Sequence, residues 1–448
     1  MKTKILSVLL LSIQFLFCQE ITGSWKGELD IQGMKLPLII NIKKENGNLI
    51  STIDSPKQGA TNIPVTKTSF AANQLVFEIS SLSANYTGKY IDETFEGTFK
   101  QGNMELPLVL SKLKEGEISG ELKRPQTPKA PFDYNTEDIN FVNTIDKNTL
   151  AGTISEPKNF SKKSPILVMI TGSGKQNRDE ELFGHRPFAV IADDFAKKGI
   201  ATLRIDDRGI GGSSKGSKDD NSFNYATDIY AAVNFLKEKG YQNVGLIGHS
   251  EGGMIAPIVA TMTKDVKFIV LMAGPGTPID ELLVQQNYLS SKLAGVNEEE
   301  MQKDLKSNQK IYSFIKKYTG SNYENDFEQF LKDSGENLND DAKRQLKNHW
   351  FKYFIAFNPD DYLSKLKIPV LAINGGLDFQ VPAKSNLEGI SKSLTKAKNK
   401  NFETHEFEGL NHLFQKCKTG AFSEYVEIEQ TISPTVLDKM SSWILKLK

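Results

Sequence analysis

Beyond residue 133, hydrophobic and polar positions alternate in two rhythms. Compact apolar runs of strand length occupy 166–171, 201–205, 244–247, 268–273 and 368–374, and a last strand is expected over 402–407. Between them, apolar residues return every three or four positions over 188–198, 225–239 and 436–447, the spacing of a helix face. The wholly apolar 254–260 reads as a buried helix. Gly199 and Gly240 close the first two helices. Two segments in front, 138–145 and 149–155, read as a lead-in hairpin. Strands joined through such helices need right-handed crossovers, so the pattern predicts an α/β fold with a mostly parallel sheet flanked by helices. The rhythm breaks over 278–365. That stretch is rich in Lys, Glu, Asn and Gln, keeps helical spacing (Leu282, Leu289, Leu293; Ile311, Ile315, Tyr318) and has few strand signals. It predicts a helical insertion that covers the working end of the sheet as a lid.

Residues 19–123 follow another pattern. Short runs rich in Ile, Leu, Val, Phe and Thr are divided by turn signals such as Asn46-Gly47 and Gly102-Asn103. An internal echo is present. Trp25-Lys-Gly27 with Met34-Lys-Leu-Pro-Leu-Ile-Ile40 reappears, at one offset, as Phe95-Glu-Gly97 with Met104-Glu-Leu-Pro-Leu-Val-Leu110. Two like hairpins at the ends of a small all-β domain predict a barrel or sandwich that closes on itself. Trp25 is expected in its core, and no catalytic constellation is legible there. Residues 124–132 hold Pro125, Pro128 and Pro131, which keep a chain out of helices and sheet interiors and predict an extended linker.

The first 18 residues belong to neither pattern. Lys2 and Lys4 precede a nearly unbroken apolar run over 5–17, short for a membrane span and followed by polar sequence. That is the pattern of an export signal cleaved after Cys18. A lipid anchor on Cys18 fits less well, because bulky Phe17 stands where a small residue is wanted. No later run suits stable membrane insertion. With Cys18 gone, Cys417 has no partner for a disulfide, which suits a periplasmic or secreted bacterial protein. Composition mainly excludes. Of the 448 residues, 39% are hydrophobic and 25% charged, ordinary for a globular chain, and a formal net charge of +0 gives no electrostatic case for nucleic acid. Protein partners leave no mark.

The chemistry concentrates at Gly248-His-Ser-Glu-Gly252. The apolar run 244–247 leads into it and the apolar helix 254–260 leads out. A serine hydroxyl is a poor nucleophile and must be presented to a base. A sharp strand-to-helix turn does this, and Gly248 and Gly252 remove side chains that would collide there. In a sheet of this kind, working residues sit beyond the carboxyl ends of the strands. The strand over 368–374 ends at Asp378, and the strand over 402–407 ends at His412. The chain order is thus nucleophile Ser250, acid Asp378, base His412.

Residues 135–448 resemble the α/β-hydrolase superfamily, and most closely bacterial secreted esterases akin to the serine aminopeptidase (S33-like) group. The resemblance rests on Thr171-Gly-Ser-Gly174 with Asn177-Arg-Asp-Glu180, Asp207-Arg-Gly-Ile-Gly-Gly-Ser213, the Ser250 motif, Pro369-Val-Leu-Ala-Ile-Asn-Gly375 with Asp378, and Gly409-Leu-Asn-His412. Lys175 stands where the family's loop has proline. The resemblance implies a cofactor-free, metal-free serine hydrolase acting on a small-molecule ester. Ser250, His412 and Asp378 would form its triad. Backbone N–H groups of Glu251 and of Ser173 or Gly174 would form its oxyanion hole. Two other readings stand beside it: a peptidase of the same fold that removes N-terminal residues, and an inert ligand-binding protein. For the peptidase, Glu251, the run 179–181, and Glu298, Glu299, Glu300, Glu324 and Glu328 of the insertion are the carboxylates that would hold an ammonium group. His249 is expected to pack or cap, and His405 to be structural. His185 and His349 fit surface or lid roles. Asp206, Asp207 and Arg208 are expected to brace a loop as a buried ion pair. The loop 218–221 reads as a solvated turn rather than a calcium loop.

Overall fold

The computed structural model describes residues 21–31, 34–45, 47–55, 60–102, 104–113 and 123–447. The expected export signal, Cys18 and Asn103 lie outside them. The chain divides into two compact units, one up to Glu121 and one from Leu122 onward.

The first unit is one nine-stranded antiparallel sheet. Its strands are β1 (Gly23–Ile31), β2 (Met34–Glu45), β3 (Asn48–Ser55), β4 (Ala60–Pro64), β5 (Lys67–Ala71), β6 (Gln74–Ile79), β7 (Ala84–Ile91), β8 (Thr94–Gln101) and β9 (Met104–Lys112). The order β4-β3-β2-β1-β9-β8-β7-β6-β5 makes it a meander whose first and last strands pair. The two echoing hairpins, β1–β2 and β8–β9, therefore lie side by side. They share a register: Trp25 faces Ile40 and Gly27 faces Leu38, as Phe95 faces Leu110 and Gly97 faces Leu108. The sheet curls until β3 meets the turn before β5, where Val65 N donates to Ser51 O (3.0 Å) and Thr68 Oγ1 to Ser51 Oγ (2.9 Å). Alternate residues point inward and are buried, with Trp25 edge-on to Phe95 at 4.5 Å. The Trp25 indole N–H is satisfied by Ile21 O at 2.8 Å, so its burial leaves no polar debt.

The second unit opens with β10 (Asn135–Val142) and β11 (Thr149–Glu156), then β12 (Pro165–Ile170), α1 (Pro187–Lys197), β13 (Ala201–Ile205), α2 (Ser222–Glu238), β14 (Asn243–His249), α3 (Glu251–Met262) and β15 (Val266–Met272). The insertion follows as α4 (Ile279–Leu293), α5 (Glu298–Lys317), α6 (Tyr323–Ser334), α7 (Asp340–Lys347), α8 (His349–Ala356) and α9 (Asp360–Leu363). The sheet resumes with β16 (Val370–Gly375), α10 (Ala383–Lys396) and β17 (Phe402–Phe407), and the chain ends in α11 (Phe422–Glu427) and α12 (Pro434–Lys446). The strand order is β10-β11-β13-β12-β14-β15-β16-β17, parallel from β13 to β17.

A strand buried on both faces must be apolar at every position. β12 shows this: Ile166, Val168 and Ile170 pack towards α2, α3 and α10, while Leu167 and Met169 pack towards α1 and α12. α2 starts three residues before the expected 225 because Asn221 and Asn224 form a capping box ahead of the apolar stripe. The lid helices have their own small core of Ile311, Ile315, Phe327, Leu331, Phe351 and Ile355. The stretch 123–131 stays out of helix and strand, but it is fastened to the second unit rather than a free spacer. Arg124 donates to Phe183 O (2.8 Å), Val426 O (2.8 Å) and Ile428 O (3.0 Å), and Gln126 donates to Ile432 O (2.8 Å).

Candidate active site

Ser250 stands between β14 and α3 with φ 53° and ψ −116°. That backbone is strained for a residue with a side chain, at about 1–3 kcal/mol, and surrounding structure must hold it. Ser250 N donates to Met272 O on the neighbouring strand (2.9 Å), and Gly253 N caps the turn on Ser250 O (2.9 Å). The glycines are required by closeness. A Cβ on Gly248 would sit 2.1 Å from Gly252 O, and one on Gly252 would sit 2.1 Å from Ile170 O.

Asp378 lies on the turn after β16 and is buried. Its Oδ1 accepts Gln380 N and Val381 N, both at 2.9 Å, and its Oδ2 meets His412 Nδ1 at 2.7 Å. With both oxygens engaged, the carboxylate orients the imidazole. His412 lies on the loop after β17 and lines one cavity with Ser250.

The loop after β12 is held at two points. Gly172 N donates to Glu180 Oε1 (2.7 Å), while Thr171 Oγ1 (3.0 Å) and Gln176 N (2.8 Å) donate to Asp207. These bonds fix the loop without the family's proline at Lys175. They also commit Gly172 N–H, which leaves Ser173 and Gly174 as the next donors along the loop. Ser173 lines the Ser250 cavity, and Gly174 lines a smaller cleft beside it. Glu251 opens α3, where a first N–H has no acceptor within the helix.

Neighbouring carboxylates differ in their partners. Asp206 pairs with Arg178 (2.6 Å), and Arg208 is buried against Asp228, Asp146 (2.6 Å) and Asp220 (3.0 Å). The expected ion pairing thus holds for Asp206 and Arg208. Asp207 instead faces the small cleft among hydrogen-bond donors, and among the described residues no cation pairs with it. Burial pushes it up to about 7 against the bonds from Gln176 and Thr171, and the nearby Glu251 and Glu180 carboxylates add to the rise. Lys218 and Asp219 form an exposed turn, as expected, while Asp220 turns inward to pair with Arg208. Among the described residues no three His, Cys, Asp or Glu side chains cluster as a metal site, and no helix is long and apolar enough to cross a membrane.

The cavity at Ser250 measures about 260 Å³. Its apolar wall includes Leu182, Leu283, Phe351, Phe354, Leu413 and Phe422, and its polar wall includes Gln176, Gln286, Gln345 and Gln380. Trp350 of α8 closes it from the lid side, and its Nε1 donates to Glu251 Oε1 at 2.9 Å. Ser222 Oγ donates to the same oxygen at 2.6 Å. Burial raises the Glu251 carboxyl above its ordinary value, against these bonds.

Residues 165–414 match the family model described as the alpha/beta hydrolase fold. The chain belongs to this family. The hydrolase is 27% identical over 360 residues to Esterase EstD of Thermotoga maritima, spanning 79% of this chain and 80% of that protein. Among solved structures, it is similar to Est1E of Butyrivibrio proteoclasticus, in a structure with ferulic acid bound (20% identity, 69% of this chain, 100% of that one, TM-score 0.43). It is also similar to a Pyrococcus furiosus esterase (17% identity, 72% of this chain, 97% of that one, TM-score 0.43).

The sequence located the three hydrolase loops that carry Ser250, Asp378 and His412. It did not locate the groups that brace them. His249 was expected only to pack or cap. Its Nδ1 lies 2.9 Å from Glu180 Oε1 and its Nε2 lies 3.0 Å from His412 O. Trp350 also went unread, although a lone tryptophan in a Lys-rich insertion was the available signal. His405 lies within β17, edge-on to Phe407, and His349 bonds Asp219 O from the lid. His185 is buried between Thr431 Oγ1 (2.9 Å) and Tyr425 O (3.0 Å), neither on the surface nor in the lid.

Proposed function

We propose that this hydrolase cleaves carboxylic esters through a triad of Ser250, His412 and Asp378 and an acyl-enzyme. The observation that carries the reading is the His412–Asp378 pair, whose imidazole lines the same cavity as the strained Ser250 turn. Asp378 holds Nδ1 of His412 as the donor, which leaves Nε2 to take the Ser250 proton. Ser250 attacks the ester carbonyl. The resulting oxyanion is received by the N–H groups of Glu251 and of Ser173 or Gly174. His412 returns its proton to the leaving alcohol, then activates the water that frees the acid.

The cavity supports an uncharged ester over a peptide. A peptidase acting at a free N-terminus needs an unspent carboxylate to hold the ammonium group. Glu251 is taken by Ser222 and Trp350, Asp179 by Arg204, Glu181 by Arg186, and Glu328 by Lys347. Glu180 lines the cavity but is bound to His249. The name of the Thermotoga relative agrees with an ester substrate. The lysine-flanked apolar run over 5–17 supports export to the periplasm or beyond, with lipid anchoring at Cys18 as the less favoured variant.

A substrate panel tests this. kcat/KM for a neutral short-chain alkyl ester should exceed that for any aminoacyl anilide by at least roughly a hundredfold, about 2.7 kcal/mol of barrier. An anilide or dipeptide that outperforms every alkyl ester would replace this reading with a peptidase.

A further inference from the structure

Three loops converge on one buried pair. Glu180 Oε1 receives Gly172 N–H (2.7 Å) from the loop after β12 and His249 Nδ1 (2.9 Å) from the end of β14. His249 Nε2 reaches the backbone oxygen of His412 (3.0 Å) on the loop after β17. His249 directly precedes Ser250. Both side chains are buried, at 7% and 5% exposure. The His249 ring also lies 4.8 Å from the His412 ring and 6.4 Å from Phe414.

The bonding bears on the protonation. A neutral imidazole has one N–H, yet both ring nitrogens of His249 face acceptors. A backbone carbonyl has no proton to give, and Glu180 Oε1 already accepts one from Gly172. Two donors converging on Glu180 Oε1, with His249 Nε2 donating to His412 O, is the pattern of an imidazolium against a carboxylate. A buried charge of this kind persists only when paired and hydrogen-bonded. We propose that His249 and Glu180 form a charged clamp that positions the catalytic base and the oxyanion loop relative to Ser250. The proposal rests on the triad reading above. His249 and Glu180 are positioning residues: one fixes the backbone that carries His412, the other the peptide preceding Ser173 N–H. Burial works against the charge on His249, but the Glu180 carboxylate outweighs it, with Asp378 adding to the rise, and the ring titrates above an ordinary histidine.

The clamp explains why a charge is kept in a place where packing alone would serve. An apolar residue at 249 would fill the space but leave Glu180 without its second donor and His412 O without its partner at Nε2. The three loops come from strand ends that sequence separates widely, and a side chain reaching two ways joins them.

The test uses the full-length enzyme and the variants Glu180→Gln and His249→Gln, with matched melting curves. Each folded variant should lose roughly 10²-fold in kcat, the scale expected for a displacement of about 1 Å, while KM stays within about twofold. The double variant should be no slower than the slower single, because the pair acts as a unit. Lowered melting temperatures with wild-type kcat would reduce the pair to a structural role and overturn the proposal. Nitrogen-15 NMR of histidine in the unsubstituted enzyme gives a readout that needs no folded variant at either position. At pH 8 one buried ring should show two protonated nitrogens. It is assigned with glutamine at His349, His405 and His412 in turn, because burial and the Arg124 charge push His185 down to about 4 and keep it neutral. A neutral-tautomer pattern for His249 would overturn the clamp. Fluorophosphonate labelling of the unsubstituted enzyme separates the two readings: no labelling sinks the triad, whereas normal labelling with unaffected variants sinks only the clamp.

Discussion

On the floor of the Ser250 cavity, the side chains of the His249–Glu180 and His412–Asp378 pairs are 7% exposed or less. In the lid above, Glu328 is 43% exposed in its pair with Lys347, and Arg344 is 76% exposed in its pair with Asp341. The floor is set by buried, charge-assisted bonds that define where each atom lies. The roof is set by stacked rings, such as Phe314 on Phe330 at 4.2 Å, over a small core of its own. Surface pairs like those of the lid contribute about 0–1 kcal/mol each, whereas breaking a buried pair costs about 3–5 kcal/mol. Under the proposed reaction, the difference suits the floor to the chemical step and the roof to selecting what enters.

Substitutions that act on one region alone should break the comparison if it is wrong. Asp378→Asn leaves the shape of the floor but reverses the hydrogen-bonding partner of His412 Nδ1. It should lower kcat by roughly 10⁴, with KM nearly unchanged and no loss of fold, as read by steady-state kinetics. Trp350→Phe keeps the ring stacked near Phe354 but removes the lid's hydrogen bond to Glu251. A side-chain hydrogen bond contributes about 0.5–1.5 kcal/mol, so KM should rise by up to roughly tenfold while kcat stays within about twofold. A large fall in kcat instead would make the lid part of the floor.

A smaller effect sharpens the picture outside both regions. His185 ties the chain before α1 to the segment 425–431. Burial, and then the charge of Arg124, lower its pKa from 6.5 to about 4. A base depressed in the fold adds stability that is present above 6.5 and is lost as pH falls towards 4. Melting temperature should therefore decline over that window. His185→Gln should be less stable at pH 7 yet decline less steeply, a contrast that differential scanning calorimetry at stepped pH resolves.

The sheet was legible because a strand buried on both faces must be apolar throughout, as 166–170 and 268–272 are. The positions of Ser250, Asp378 and His412 followed from local marks: flanking glycines and the ends of strands. The braces were not legible, because each joins distant parts of the chain through side chains whose partner is chosen only in three dimensions. Glu180 and Asp179 are adjacent, yet one bonds His249 and the other Arg204. Asp206 and Asp207 are adjacent too, yet one pairs with Arg178 and the other receives Thr171 and Gln176. The fastening of Arg124 was hidden for the same reason: three prolines describe the backbone of a spacer and say nothing of where a guanidinium beside them lands.

Every role given to the floor depends on Ser250 being the nucleophile. The most direct measurement is mass spectrometry of the enzyme after reaction with a fluorophosphonate, with Ser250→Ala in parallel. A single phosphonyl adduct is expected on the peptide carrying Ser250, none in the variant, and ester turnover lower in the variant by on the order of 10⁶ with an unchanged melting curve. An adduct on another residue, or near-normal turnover by the folded Ser250→Ala protein, would contradict it.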